Sequence, residues 1–213
     1  MIAALEDPRV IPTLVVVVLL LSIVAWYFSA HQVTKRRLRK FPIRTLAEGC
    51  GGKSRVTGSI DEVGLHLSTP FSGRRCAWYR VTVLEKRGKN SWAEVAREER
   101  SSDFMLTDAT GTARVVMMRP RVASVADYGE RSGIFTDATP VEEGFLSRHG
   151  YNSVGFFGFN RTLRYLECAL AAGEVVTVLG HIRKSNDGSA PYEIVACDDE
   201  PLTLSDDAAV VRG

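Results

Sequence analysis

The stretch SGRRCAWYRVTV, Ser72 to Val83, places a cysteine beside arginines and two adjacent aromatics. Three chemistries could use it. Cys76 close to Arg74 and Arg75 has the cationic surroundings that lower a thiol pKa and make a nucleophile. Trp78, Tyr79 and Arg80 are residue types that stack on bases and neutralise phosphate. One β-strand would use the same residues for packing and for its turn. Alternation along a strand separates these readings, because consecutive Trp78 and Tyr79 face opposite sides and cannot form one platform. Ala77, Tyr79, Val81 and Val83 then make an apolar face, and Cys76 and Arg80 are expected to point away from it. A small packed cysteine is the expectation for Cys76. Elsewhere His31, His66, His149 and His181 are scattered with no H-E-x-x-H spacing, and neither a G-x-S-x-G elbow nor a P-loop occurs. Cys50, Cys76, Cys168 and Cys197 include no C-x-x-C pair, so a zinc ribbon or RING has no ligands. No catalytic, cofactor-binding or metal-ligating residue is assigned, and no cofactor is expected.

What would position such groups begins with an anchor. Residues 10–30, VIPTLVVVVLLLSIVAWYFSA, carry no charge, and a helix of that length reaches about 30 Å, enough to cross hydrocarbon. Pro12 would fall in its first turn, and Trp26 and Tyr27 at its end suit an aromatic belt. Glu6 and Asp7 precede the run where a signal peptide would be basic. The cluster Lys35, Arg36, Arg37, Arg39 and Lys40 follows it, which sets the C-terminal part on the cytoplasmic side of a single-pass protein. Anionic lipid headgroups are the partner expected for these cations. With 27 basic and 25 acidic side chains the whole chain has no bias towards nucleic acid. The expected organisation is a short non-cytoplasmic segment 1–9, a transmembrane helix 10–30, a basic juxtamembrane segment 31–44, a β-domain 45–205 and an acidic flexible tail 206–213. A bacterial inner membrane suits the Arg-, Ala- and Val-rich composition.

Beyond Thr45 short alternating runs are broken by glycine, proline and aspartate, which predicts a mainly β domain. Val56, Gly58 and Ile60 share one strand face. In DFMLTDATGTARVVM, Asp108 and Gly111 hold the first and fourth places of a type I turn, predicting a hairpin. NRTLRYLECALAAGE predicts a short helix, with Asn160 as N-cap, Leu163, Leu166 and Leu170 as its buried stripe, Glu167 pairing with Arg164, and Gly173 as its stop. EVVTVLGHIRKS returns to strand, with Gly180 marking a bulge or a close backbone approach. The order of elements suits an OB-like, partly closed β-barrel with one short helix and a long insertion at about 119–160. Phe156, Phe157 and Phe159, among glycines in VGFFGFN, form a candidate partner-binding loop for an unknown protein.

Three blocks, LSTPFSGRRCAWYRVTVLE, DFMLTDATGTARV and RTLRYLECALAAGEVVTVLGHI, with Trp92 between the first two, resemble the membrane domain of the GIDE (MULAN) E3 ubiquitin ligase family. The matched positions are Pro70, Ser72, Gly73, Cys76, Tyr79, Phe104, Asp108, Gly111, Arg164, Glu167, Gly173, Glu174 and Gly180. In that family the domain lies between two membrane helices, and eukaryotic members add a C-terminal RING that shorter prokaryotic relatives lack. The resemblance therefore implies a membrane-tethered binding or sensing module. Ubiquitin-ligase activity is the alternative carried by the family name, and single-stranded nucleic-acid binding the alternative carried by an OB-like barrel.

Overall fold

A computed structural model describes residues 18, 29–62, 64–124, 128–132, 138–154, 161–186, 188–197 and 200–212. The expected transmembrane run, with Trp26 and Tyr27, lies outside these apart from Val18, Ser29 and Ala30. Among the described residues no helix is long and apolar enough to cross a membrane.

Helix α1 spans Ala30–Arg39, started by Ser29, whose Oγ accepts from Gln32 N at 3.4 Å. Strand β1 (Ile43–Arg44) and helix α2 (Leu46–Gly49) lead into β2 (Gly52–Ile60). Val56, Gly58 and Ile60 of β2 are all buried, as period-two alternation requires. Next come β3 (Leu67–Ser68), β4 (Arg75–Lys86), β5 (Trp92–Ser101), β6 (Phe104–Asp108) and β7 (Gly111–Val115). Strands β8 (Arg121–Ala123) and β9 (Tyr128–Ser132), helix α3 (Pro140–Arg148), and strands β10 (Leu163–Ala171) and β11 (Val175–Lys184) follow. Strands β12 (Tyr192–Val195) and β13 (Thr203–Ser205) and helix α4 (Ala208–Val211) complete the order.

The protein is mainly β, built round a closed five-stranded barrel. Strand β2 pairs with β6, β6 with β7, β7 with β12, β12 with β11, and β11 returns to β2. The β7–β12 contact alone is parallel. A partly closed barrel was expected; the long ladder from Val175↔Ser59 to Ile182↔Gly52 closes it. Two glycines permit that closure. A Cβ on Gly58 would come within 2.5 Å of Thr107 O, and one on Gly180 within 2.8 Å of Ile194 Cγ2 and Val195 O.

A second sheet, in the order β3-β4-β10-β9 with β5 also on β4, is assembled from two separate insertions into the barrel. Trp78, Ala77 and Leu170 join the barrel core, whereas Cys76, Tyr79, Val81 and Val83 pack with Phe145 and Leu146 of α3. The predicted helix at 160–173 is therefore corrected. Its residues form β10, with Leu163, Tyr165, Glu167 and Ala169 buried alternately. Leucine, alanine and glutamate favour helix intrinsically, but pairing with β4 on one edge and β9 on the other overrides that preference. The expected stretch without regular structure at 119–160 holds β8, β9 and α3. Thr139 and Glu142 form a capping box at the start of α3, and Thr45 and Glu48 form one at α2.

Candidate functional site

Three places gather the singled-out residues, and their burial distinguishes them. The first is the turn before β4. Glu167, 2 % exposed, reaches from β10 to accept from Phe71 N at 2.9 Å, Ser72 N at 3.3 Å and Ser72 Oγ at 2.5 Å. Thr69 Oγ1 meets Ser72 Oγ and accepts from Arg74 N at 3.0 Å, while Gly73 takes the left-handed φ of 67° that the turn needs. Arg74 pairs with Glu174, whose other oxygen accepts from Ala171 N at 2.9 Å. Gly173 turns the chain from β10 into β11 at φ 80°. Ser72, Gly73, Glu167, Gly173 and Glu174 thus come together as a clamp that fixes two turns. The expected Glu167 to Arg164 helix pair does not form; Arg164 instead lies over the Trp92 ring at 4.5 Å.

Cys76 corrects an expectation. The ladder pairs Leu170 with Trp78 but Ala171 with Cys76, so Ala77 is an extra, bulged residue and the alternation changes phase there. Cys76 consequently lies on the Tyr79 face, fully buried, not pointing away from it. Burial, with the nearby Glu167 carboxylate adding to it, pushes the thiol up to about 12. That is the opposite of the reactive thiolate that Arg74 and Arg75 suggested. Trp78 and Tyr79 do face opposite sides. Trp78 is 0 % exposed, donating Nε1–H to Glu99 Oε1 at 2.9 Å, and offers no surface for a base to stack on. Tyr79 OH donates to Glu98 at 2.5 Å, and burial first, then that carboxylate, raises its pKa. Asp108 serves the β6–β7 turn: its Oδ1 accepts from Thr110 N and Gly111 N, and its Oδ2 from Leu46 N at the start of α2.

The second place is a pocket of about 370 Å³ on the barrel wall. Met105 and Arg114 of β6 and β7 line it, and His66, Ser102, Asp103 and Ser189 come from the connections beside them. Asp103 binds Arg114 at 2.8 Å and accepts from Met117 N at 2.9 Å.

The third place is α1. Its basic cluster does not stand apart from the domain as the juxtamembrane reading expected. Leu38 is buried with Leu179 of β11 and Val210 of α4. Arg55, 3 % exposed, lies beneath α1 and donates to Phe41 O at 3.1 Å, Leu38 O at 3.4 Å and Val210 O. The C-terminal acids come to the same end. Lys35 pairs with Asp207 at 2.7 Å, and Arg37 with Glu200 at 2.5 Å. Lys53 of β2 bonds the same Glu200 oxygen and lies 4.7 Å over the Phe41 ring. Arg39 donates to Ala209 O at 3.1 Å. The expected flexible tail at 206–213 is corrected: Asp207 caps α4, and Val210 is fully buried. Between α1 and the barrel runs a groove of about 690 Å³, lined by Val33, Arg36, Arg37, Lys40, Phe41, Lys53 and Glu200. The hydrogen bond from Lys53, and Arg37 after it, hold the Glu200 carboxyl below its usual range; the bond from Lys35 does the same for Asp207.

Phe156, Phe157 and Phe159 lie outside the described residues. The four cysteines are free, and among the described residues no group of three or more His, Cys, Asp or Glu could hold a metal. Lys53 and Arg55 are given no role by the sequence motifs, and Glu200 stands there only as one of the acids near the C-terminus. An arginine next to Val56 in a β-patterned stretch, SRVTGSI, is the one local signal for Arg55. Comparison with protein-family models, curated proteins and solved structures finds no match.

Proposed function

We propose that the protein is a single-pass, membrane-tethered β-barrel module that binds or senses at the cytoplasmic membrane face, in a bacterial inner membrane, and is related to the GIDE domain. The carrying observation is the groove beside α1, where Arg36, Arg37, Lys40 and Lys53 surround an apolar lining of Val33 and Phe41. This cationic surface begins directly after a run of 21 uncharged residues. Cations above an apolar lining suit a surface of anionic headgroups, to which each basic residue contributes about 1 kcal/mol. The barrel order β2-β6-β7-β12-β11 supports an OB-type reading, since the third and fifth strands of such a barrel pair in parallel. In that reading the pocket over β6 and β7, between the connections that flank them, is the place for a sensed ligand. An accessibility experiment tests the tether: a C-terminal tag on the full chain is expected to resist protease in intact spheroplasts and to be cut in inverted vesicles. Cleavage in intact spheroplasts would overturn the topology.

The ligase alternative rests on the family resemblance alone. Ubiquitin transfer by the purified chain with a conjugating enzyme, abolished by zinc chelation, would support it. For single-stranded nucleic acid the proposed stacking residue, Trp78, is sealed inside the core, so that reading loses its motivation.

A further inference from the structure

Glu200 sits in the α1 groove as an anion among cations. Its Oε2 takes both Arg37 Nη2, at 2.5 Å, and Lys53 Nζ, and Lys53 in turn rests on the Phe41 ring. A carboxylate held between a guanidinium and an ammonium, with apolar side chains below, uses the acceptor chemistry of a lipid phosphodiester above its acyl chains. Its side chain is 41 % exposed, so exchanging it for another anion demands little desolvation. The second acid, Asp207, among the described residues holds Lys35 alone, in a pair whose side chains are only 15 % and 16 % exposed, and caps α4. Both acids belong to the segment that ends in α4, whereas the cations belong to α1 and to the barrel.

We infer that Glu200 and Asp207 are built-in competitors for the α1 cations, displaced by the phosphodiester groups of an anionic glycerophospholipid surface, and that their displacement loosens α4 against α1, where Val210 still packs on Leu38. The inference rests on the tethered reading above, which sets this groove beside a bilayer. Arg55 is not part of the exchange, because its described partners are the carbonyl oxygens of Leu38, Phe41 and Val210. In the latched state the C-terminal segment covers the cations. In the released state the cations meet lipid, and α4 keeps the Val210 packing and the bonds from Arg55 and Arg39.

Hydrogen exchange on the full chain in lipid nanodiscs tests this. Discs of phosphatidylcholine alone are compared with discs containing phosphatidylglycerol, and the readout is amide exchange over 207–212. Exchange is expected to rise in the anionic discs by about fivefold for each cation transferred to lipid, and to fall back at high salt. Glu200→Gln with Asp207→Asn is expected to show fast exchange in both kinds of disc. Lys53→Gln with Lys40→Gln is expected to reduce the response to phosphatidylglycerol. Unchanged exchange in anionic discs, with the chain correctly inserted, overturns the competitor role and leaves the tether intact. Equal opening by inorganic phosphate in neutral discs overturns the assignment to a lipid surface. A chain that does not float with the discs overturns the tether and this inference together.

Discussion

Two carboxylates, Glu167 and Glu200, each gather donors from distant parts of the chain, yet they sit in opposite surroundings. Glu167 is almost completely buried and accepts from two backbone amides and a hydroxyl in a single turn. Glu200 is close to half exposed and meets two cationic side chains. A buried acceptor cannot be removed without stranding its donors away from water. An exposed one can be replaced by water or by another anion at small cost. The difference separates fixed architecture from a contact that can exchange, although both look alike as drawn hydrogen bonds.

The largest effect expected from breaking this contrast is at Glu167. Glu167→Ala leaves Phe71 N, Ser72 N and Ser72 Oγ without their acceptor, and should cost about 3 kcal/mol in urea unfolding. Glu167→Gln, which keeps one acceptor oxygen, should recover part of it. Gly58→Ala comes next. Its methyl would press on Thr107 O in the closed barrel, for a loss of about 2 kcal/mol and a lower thermal midpoint.

Alkaline titration sharpens the same boundary between sealed and exchangeable groups. The Cys76 thiol is raised from 9.0 to about 12 in the fold, so the unfolded chain ionises first. Its contribution is fully present below pH 9.0 and should be lost as pH rises towards about 12. The raised Tyr79 hydroxyl adds to that loss, and Cys76→Ala should flatten the slope of urea midpoint against pH. For the carboxylates at the α4 end the sign reverses. The lowered Asp207 and Glu200 carboxyls stabilise the α4 contact above the ordinary carboxylate range, and that contact should weaken as pH falls through their lowered values. Loss of amide protection over 208–212, taken relative to the intrinsic exchange rate at each pH, between about pH 6 and about pH 3 is the measurement. Glu200→Gln should have the smallest consequence of all, leaving the global urea midpoint where it was; a clear drop would show that Glu200 belongs with Glu167 as fixed architecture.

The sequence carried the β class, the hairpin at Asp108 and Gly111, the strand face of Val56, Gly58 and Ile60, and the close approach at Gly180, because each is written in residues a few positions apart. Strand β10 reads as a helix for a physical reason: its leucines, Leu163, Leu166 and Leu170, fit spacings of three and four, whereas the strand turns Leu163 to one face and Leu170 to the other, a choice made by partners on both edges. The bulge at Ala77 changed the face of Cys76 by one residue, which no alternation rule applied along a single strand can foresee. Thr139-x-x-Glu142 is a helix start legible in the sequence, and it opens α3. The groove was less legible, because Lys53 and Glu200 are 147 positions apart and the basic cluster by itself gives no sign of which acids answer it.

The second sheet joins two insertions that lie on either side of β6 and β7, and this has a consequence for how the chain is made. Strand β4 cannot pair with β10 until everything between them has left the ribosome, a delay of several seconds at about 5–20 residues per second. The barrel waits as well, since β2 is closed by β11. For that interval β4 and β5 can offer each other only one edge. A nascent chain in this state is open to capture by chaperones, by proteases and by its own neighbours on the same polysome.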